Sequence, residues 1–439
     1  MPEELKHVGG KKPALRRSLG LLETTLGGVG IILGAGIYAL VGEVAAKSGN
    51  AMWISFTMAG LMAAVVGLSY AELASTFPKA GADYEYTRRA FGRRAAFVVG
   101  WLIVIGNVVA ASAVALAFGG YFGSLFGADV RLIAVAVLVI ATLIAFYGIR
   151  ATLWTSIVLT VVEAGGLIFI IAIGVPHFGD VDLLEANSGA TGIFAGGALV
   201  MFAFIGFEQV ATLAEETRDA SRVVPRAMLL AIAISCTLYL LVAIASISVL
   251  GWEALSATDA PLAEVAKEAL GGSAFDVIAV VALFSTANTI LLMLVAASRM
   301  IYGMASTDAL PRFLAWIHPD LQTPARAIVI CLVVSIGFAL SGDLGLVAGA
   351  TNFAVFVGFG AVNASLIVLR YTHADTPRPF RVPLNIGRFP VLPVIALASI
   401  VFMMANLEMN AILIGLGLFA LGIVAMEALS LWRPEKEAR

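Results

Sequence analysis

The sequence predicts an all-α membrane protein with twelve transmembrane helices, on three observations. Of its 439 residues, 60% are hydrophobic and only 13% are charged, against about 25% charged in soluble domains. Twelve apolar stretches can be drawn near the length of roughly 20 residues that a helix needs to cross a bilayer core of about 30 Å. The intervening polar segments are also sorted by charge. With the N-terminus inside, every one of the 27 Lys and Arg residues except Lys47, Arg131 and Lys267 falls on the cytoplasmic side, as the preference of basic loops for that side requires. Both termini are therefore expected in the cytoplasm of a multi-pass cell-membrane protein.

The spans are drawn at 20–46, 51–74, 95–127, 131–148, 151–175, 191–214, 226–250, 273–304, 325–341, 344–369, 388–406 and 410–432. The third is uncharged from Ala95 to Gly127 and must tilt or protrude. Only Gly127, Asp129 and Arg131 divide it from the fourth. The longest external connection, WEALSATDAPLAEVAKEALGG, carries Pro261 ahead of a helical run, and proline suits a first helical turn; a short surface helix is expected there. THADTPRPFRVPLNIGR, with Pro377, Pro379 and Pro383, reads as a stiff cytoplasmic linker before the last two spans. The polar, basic segment 1–19 and the segment 433–439 read as cytoplasmic tails, the first without a signal-peptide cleavage pattern. A net charge of −2 argues against nucleic acid as a partner. Cys236 and Cys331 both lie inside apolar stretches, so a disulfide to a partner subunit through an external loop is not expected.

The first span poses the sharpest question. GGVGIILGAGIY holds Gly27, Gly28, Gly30, Gly34 and Gly36, and each glycine costs roughly 1 kcal/mol relative to alanine in a helix interior. Either neighbouring helices pack very closely here, or the helix comes apart. The sixth span, TGIFAGGALVMFAFIGFEQVATLAEE, has Gly206 among aromatic residues, followed by the ionisable Glu208. These two interrupted segments open two successive five-span groups, 20–175 and 191–369, with 388–432 left over. An odd number of crossings reverses topology, so the groups would be related by inversion, and paired interruptions at matching places point to a transporter's binding site. Unwinding near Gly34-Ala35-Gly36 would expose N–H groups and a helix N-terminus suited to a carboxylate. Unwinding near Phe204-Ile205-Gly206 would expose carbonyls suited to an ammonium group. An α-amino acid carries both.

At this point the sequence resembles the amino acid–polyamine–organocation superfamily. The residues carrying the likeness are GVGIILGAGIY, YAELASTFPKAGADYEYTRRAFG, MFAFIGFEQVATLAEET, SRMIYGMASTDALP and RPFRVP, in that order along most of the chain. The resemblance is to prokaryotic relatives of the cationic amino acid transporters and of the light subunits of heteromeric exchangers. It implies the leucine-transporter fold, a 5+5 inverted repeat with helices 1 and 6 broken and two further C-terminal helices. It implies substrate carboxylate on the amides near Gly34, Ala35, Gly36 and Ile37, ammonium on carbonyls near Phe202, Ala203 and Ile205, and Phe202 as an aromatic gate. It also implies that the bundle of spans 1, 2, 6 and 7 rocks.

Two carboxyl groups lie at membrane depth, where a charge costs at least about 2.5–3.5 kcal/mol. Related proton-coupled carriers resemble WTSIVLTVVEAGG but hold a lysine where this chain has Glu163, so the lysine mechanism does not transfer. Three roles are open to Glu163: carrying a proton, holding a cation with Asn288 and Thr289, or hydrogen bonding to the unwound first helix. Glu208 reads as a gating or proton-sensing carboxylate, or as a helix-pairing contact. Ser112, Asn288 and Thr289 either line the cavity or bond their own helices, and Met293 borders the pocket or packs. A proton is favoured over sodium as coupling ion. With no deep acid besides Glu163 and Glu208, neutral L-amino acids are favoured over cationic ones, and a polyamine would leave the amides near Gly36 without a carboxylate. His7, His177, His318 and His373 all lie in tails, loops or helix ends, so no metal, cofactor or enzymatic centre is expected. A channel would need a continuous polar path that the spans do not supply. The absence of a nucleotide-binding loop argues against direct ATP-driven pumping.

Overall fold

The computed structural model describes residues 19–77, 82–147, 152–215, 217–306, 309–319, 321 and 323–431. The tails assigned at 1–19 and 433–439 lie outside these residues except for Leu19. The chain is almost entirely helical. In order come α1 (Leu21–Ile32), α2 (Gly36–Ser48), α3 (Met52–Thr76), α4 (Ala82–Phe126), α5 (Val130–Tyr147), α6 (Thr152–Gly174) and α7 (Gly189–Phe204). A 3-10 segment, Phe207–Glu215, leads to α8 (Ala220–Ser256), α9 (Pro261–Leu270), α10 (Gly272–Ser306), α11 (Ala325–Ala339), α12 (Leu344–Thr372), α13 (Val391–Ala405) and α14 (Met409–Leu431). Among the described residues, eight helical stretches are long and apolar enough to cross a membrane, the first of them Gly36–Thr76, and four shorter apolar helices accompany them.

Glycine and proline set most of the boundaries. Gly127, at φ 69°, closes α4 with its N–H on the Gly123 carbonyl, a left-handed residue that only glycine adopts cheaply. The slender division between the third and fourth stretches is therefore a helix end. Gly92, at φ 85°, kinks the 45-residue α4, so its first ten residues form an arm before the apolar run. Pro261 starts α9, and Gly271, at φ 90°, ends it. Asp343 caps α12 by accepting from the Leu346 N–H at 2.8 Å.

Two packing groups result. The helices α2 and α3 contact each other and both α7 and α8, and α1 joins them through α8, while α4 packs against α5, α10, α11 and α12. In the stretch containing α4, 78% of the most apolar window is buried, against 11% for α14. The first is thus a central pillar and the last a peripheral helix. Exposed apolar side chains on the outer helices, such as Leu143, Val161, Val333 and Val401, form the belt that faces lipid.

The proline-rich linker is anchored rather than merely stiff. The Glu72 carboxylate, fully buried at the end of α3, accepts from Arg370 Nε at 2.9 Å, from Arg378 Nη1 at 3.0 Å and from the Val382 N–H at 2.7 Å. Arg370 also pairs with it through Nη2. A two-residue hairpin, β1 (Asn385–Ile386) with β2 (Phe389–Pro390), then turns the chain into α13. One acid thus ties the end of α3 to α12 and to the linker. A buried carboxylate is tolerable only with such a complete set of partners.

Candidate functional site

Both interrupted segments are broken. The first break runs over Leu33-Gly34-Ala35: α1 ends at Ile32, and α2 begins afresh at Gly36 with Ala35 as its N-cap residue. The second falls at Ile205-Gly206. There α7 ends at Phe204, Gly206 stands at φ 118°, and the chain continues as 3-10 helix. The two breaks meet, since a Cβ on Gly36 would stand 2.5 Å from Ala203 Cα. The partially positive N-terminus of α2 therefore confronts the partially negative C-terminus of α7.

The glycines answer to both sequence readings. Gly34 lies in the break itself. A Cβ on Gly28 would meet Val210 at 2.9 Å, one on Gly30 would meet Thr160 at 2.8 Å, and one on Gly206 would meet the Ile31 carbonyl at 2.9 Å. Close packing and chain breakage are parts of one arrangement, because the broken ends need neighbours near enough to hold them.

Those neighbours are specific side chains. Tyr239 Oη donates to the Ile32 carbonyl at 2.7 Å, which satisfies the end of α1. The Ala35 N–H donates to Thr289 Oγ1 at 3.0 Å. Thr289 Oγ1 donates in turn to the Ser285 carbonyl at 3.0 Å, and Ser285 Oγ donates to Glu163 Oε1 at 2.6 Å. The buried carboxylate of α6 and the amide of the first break are thus both fastened to one turn of α10, the first by the Ser285 hydroxyl and the second by Thr289, whose own hydroxyl bonds the Ser285 main-chain carbonyl. Tyr38 Oη donates to the Glu163 main-chain carbonyl at 3.0 Å, and Tyr121 Oη to that of Tyr38 at 3.1 Å. Among the described residues the Glu163 carboxylate is bonded by Ser285, and the broken helix reaches Glu163 through Tyr38 at its main-chain carbonyl. In the second break, the Gly206 N–H donates to Glu208 Oε2 at 2.9 Å, so Glu208 holds the interruption open from its inner side.

Below the second break lies a cavity of about 40 Å³ whose wall includes Asp83, Asn107, Ile205, Glu208, Thr351 and Phe359. That volume holds a few waters and falls far short of the roughly 300 Å³ of a small-ligand pocket, so an amino acid requires the surrounding helices to part. Phe359 of its wall packs with Tyr70 and Phe207, the three ring centroids lying 5.1 to 5.9 Å apart. Of the nine residues expected to contact substrate, Ile205 borders this cavity. Gly34, Ala35, Gly36 and Ile37 form the opposing break, and Phe202, Ala203, Phe204 and Gly206 the rest of the second. Phe202 is buried, and Phe204 packs edge-on to Tyr239 at 5.3 Å.

The other expected pocket residues separate. Ser112 Oγ lies 3.1 Å from the Val108 carbonyl and 2.9 Å from that of Ser335, joining α4 to α11. Met293 packs against the core and Asn288 is half-buried beside Thr289. Asp83 was outside the expectation. It lies between the second and third apolar stretches in sequence, yet Tyr70 Oη donates to its carboxylate. A half-buried acid therefore stands with Glu208 at the same cavity. Tyr38, Tyr239 and Ser285 were also missed. The one available signal was that a tyrosine deep in an apolar stretch needs a partner for its hydroxyl.

Comparison with known proteins agrees with this architecture. A family model described as amino acid permease matches residues 19–424. An uncharacterized transporter of Mycobacterium tuberculosis is 31% identical over 418 residues, covering 94% of this chain and 91% of its own length. The methylthioribose transporter of Bacillus subtilis is 28% identical over 430 residues, with 92% of each chain covered. The branched-chain amino acid permease BcaP of the same organism is 28% identical over 419 residues, covering 90% of this chain and 89% of the other. With paired broken helices at its centre and a family match over nearly its whole length, the chain belongs to the amino acid permease family of the amino acid–polyamine–organocation superfamily.

Proposed function

We propose that this protein is a secondary transporter that carries neutral L-amino acids across the cell membrane by alternating access. The observation that carries the reading is the meeting of the two breaks at Gly36 and Ala203, which brings a helix N-terminus and a helix C-terminus together where the spans are interrupted. As the ends part, the α-carboxylate takes the amides of Gly34 to Ile37 and the ammonium takes carbonyls near Phe202, Ala203 and Ile205. A ligand with only one of these charges satisfies only one end. Phe202 closes over the substrate from outside, and the Tyr70–Phe207–Phe359 cluster closes from inside.

In this reading twelve spans cross the membrane with both termini in the cytoplasm. Residues 20–175 and 191–369 are inverted repeats, and 388–432 add two helices. The packing of α1, α2, α3, α7 and α8 into one group supports the rocking bundle. Transport is by exchange or coupled to protons, with Glu163 as the coupling group, since its carboxylate and the Ala35 amide are held by Ser285 and Thr289 on one turn of α10. The cargo named for BcaP, branched-chain amino acids, favours a neutral side chain, as do the apolar residues around the second break.

The deciding experiment is uptake of labelled amino acids into proteoliposomes, with imposed proton or sodium gradients and with or without internal amino acid. Saturable uptake of leucine-like substrates, stimulated by internal substrate or external acid, is the expected result. Unitary conductance, or no uptake of any amino acid, would overturn it. A second reading, cationic amino acids, is favoured by one observation: Asp83 and Glu208 border the same cavity. Competition by lysine and arginine in the same assay separates the two.

A further inference from the structure

The outer wall of α11 carries a feature that the transport cycle does not use. Phe313, Ala325, Arg326, Val329 and Ile330 line an open groove of about 330 Å³ between the start of α11 and the 3-10 turn Arg312–Ala315. Phe313 is 55% exposed, Val329 46%, Ile330 38% and Val333, one turn further along, 64%. The groove therefore continues as an apolar stripe along a face that the bilayer covers. At its mouth Arg326 is held in place. Its Nη1 donates to the Phe313 carbonyl at 3.0 Å, and its guanidinium lies 5.0 Å from the centroid of Trp316. No acid pairs with Arg326 among the described residues. A tryptophan and an arginine at one level, with apolar surface running away from them, mark a membrane interface.

We propose that this groove is a binding site for an anionic phospholipid, with one acyl chain along Phe313, Val329 and Ile330 and the phosphate on Arg326. The groove is too open and too apolar to retain a polar metabolite. Its single fixed charge is complementary to a phosphodiester, and its uncompensated state favours a headgroup with net negative charge over a zwitterionic one. The basic-loop sorting assigns this end of α11 to the cytoplasmic leaflet, where anionic lipids attract basic residues. The stacked ring fixes the guanidinium in orientation, which turns a general attraction into a seat.

Native mass spectrometry of the intact chain with an equal mixture of phosphatidylglycerol and phosphatidylethanolamine tests the site without requiring a transport substrate, so its outcome is separate from that of the transport reading. Wild-type protein should retain phosphatidylglycerol about five-fold over phosphatidylethanolamine. Arg326→Gln should abolish that preference while retaining lipid, Arg326→Lys should keep part of it, and Ile330→Trp, which fills the groove, should lower retention of both lipids. Val401→Trp, on the exposed face of α13, should change nothing. No preference in the wild type, or a preference that survives Arg326→Gln, overturns the proposal. If Arg326→Gln does not fold, unchanged retention by Ile330→Trp overturns it equally.

Discussion

Gly36 packs against Ala203 so closely that the two broken helices meet through main chain, with 2.5 Å between a Cβ placed on Gly36 and the Ala203 Cα. A methyl group there has no flexible neighbour to displace, because the obstruction is backbone. Gly36→Ala should therefore force the breaks apart, at a cost of about 1–3 kcal/mol for overpacking, and lower initial uptake at least about tenfold. Gly165→Ala is the control, since a Cβ there meets nothing within 4 Å. Normal uptake by Gly36→Ala in proteoliposomes would mean that the contact is not part of the site.

The Glu163 carboxylate is bonded by Ser285, on the same turn of α10 as the Thr289 that accepts from the Ala35 N–H, which predicts how its removal will read out. Glu163→Gln still accepts from Ser285 but no longer exchanges a proton. Uptake by the wild type should rise as the external side is acidified, whereas uptake by Glu163→Gln should be flat across the same range at a measurable rate. Ser285→Ala removes the hydroxyl that bonds Glu163 while leaving the carboxyl group and the Thr289 contact in place, so it should weaken the pH response. An unaltered pH profile for Glu163→Gln would remove this residue from coupling.

The Glu72 cluster is structural in its consequences. Breaking a buried ion pair on one side strands the partner charges at a cost of about 3–5 kcal/mol, and Glu72 leaves two guanidinium groups and the Val382 N–H behind. Glu72→Gln should lower the thermal midpoint in detergent by more than Arg378→Ala does. Arg378 keeps 10% side-chain exposure, against 2% for Arg370, so its loss is partly compensated by water. Equal or negligible shifts for both variants would show that the linker is not fastened through this acid.

The breaks were legible in the sequence because glycine is costly in a helix, and five glycines between Gly27 and Gly36 need a reason. The surface helix at Pro261 and the division at Gly127 were legible for a similar cause, since proline and left-handed glycine act locally. Tyr239 and Ser285 were not, because each acts on a partner far away in the chain, as when Tyr239 meets Ile32. Nothing local distinguishes a tyrosine that caps a broken helix from one that packs. Asp83 was hidden because it precedes the apolar run of α4, on the arm that Gly92 sets off from it, and nothing local marks its bond from Tyr70. Glu72 appeared only inside a family motif, and its partners lie beyond residue 369.

Asp83 also supplies the test of substrate charge. Its carboxylate accepts from Tyr70 and borders the cavity with Glu208, so Asp83→Asn preserves a hydrogen-bond acceptor while removing one negative charge. If the cargo is neutral, the charge lies beside the path without meeting a counter-charge on the substrate. Uptake of leucine should then stay within about twofold of wild type, and lysine should compete poorly with both proteins. If the cargo is cationic, the substrate would lose a charge-assisted hydrogen bond worth about 1.5–3 kcal/mol, and lysine transport should fall by roughly one to two orders of magnitude. The neutral outcome is expected, because in the proposed reading the ends of α2 and α7 take both charges of an amino acid, and a pocket narrowed by Ile205 and Phe359 suits an apolar side chain. Strong lysine competition that Asp83→Asn abolishes would reverse that assignment while leaving the broken-helix site in place.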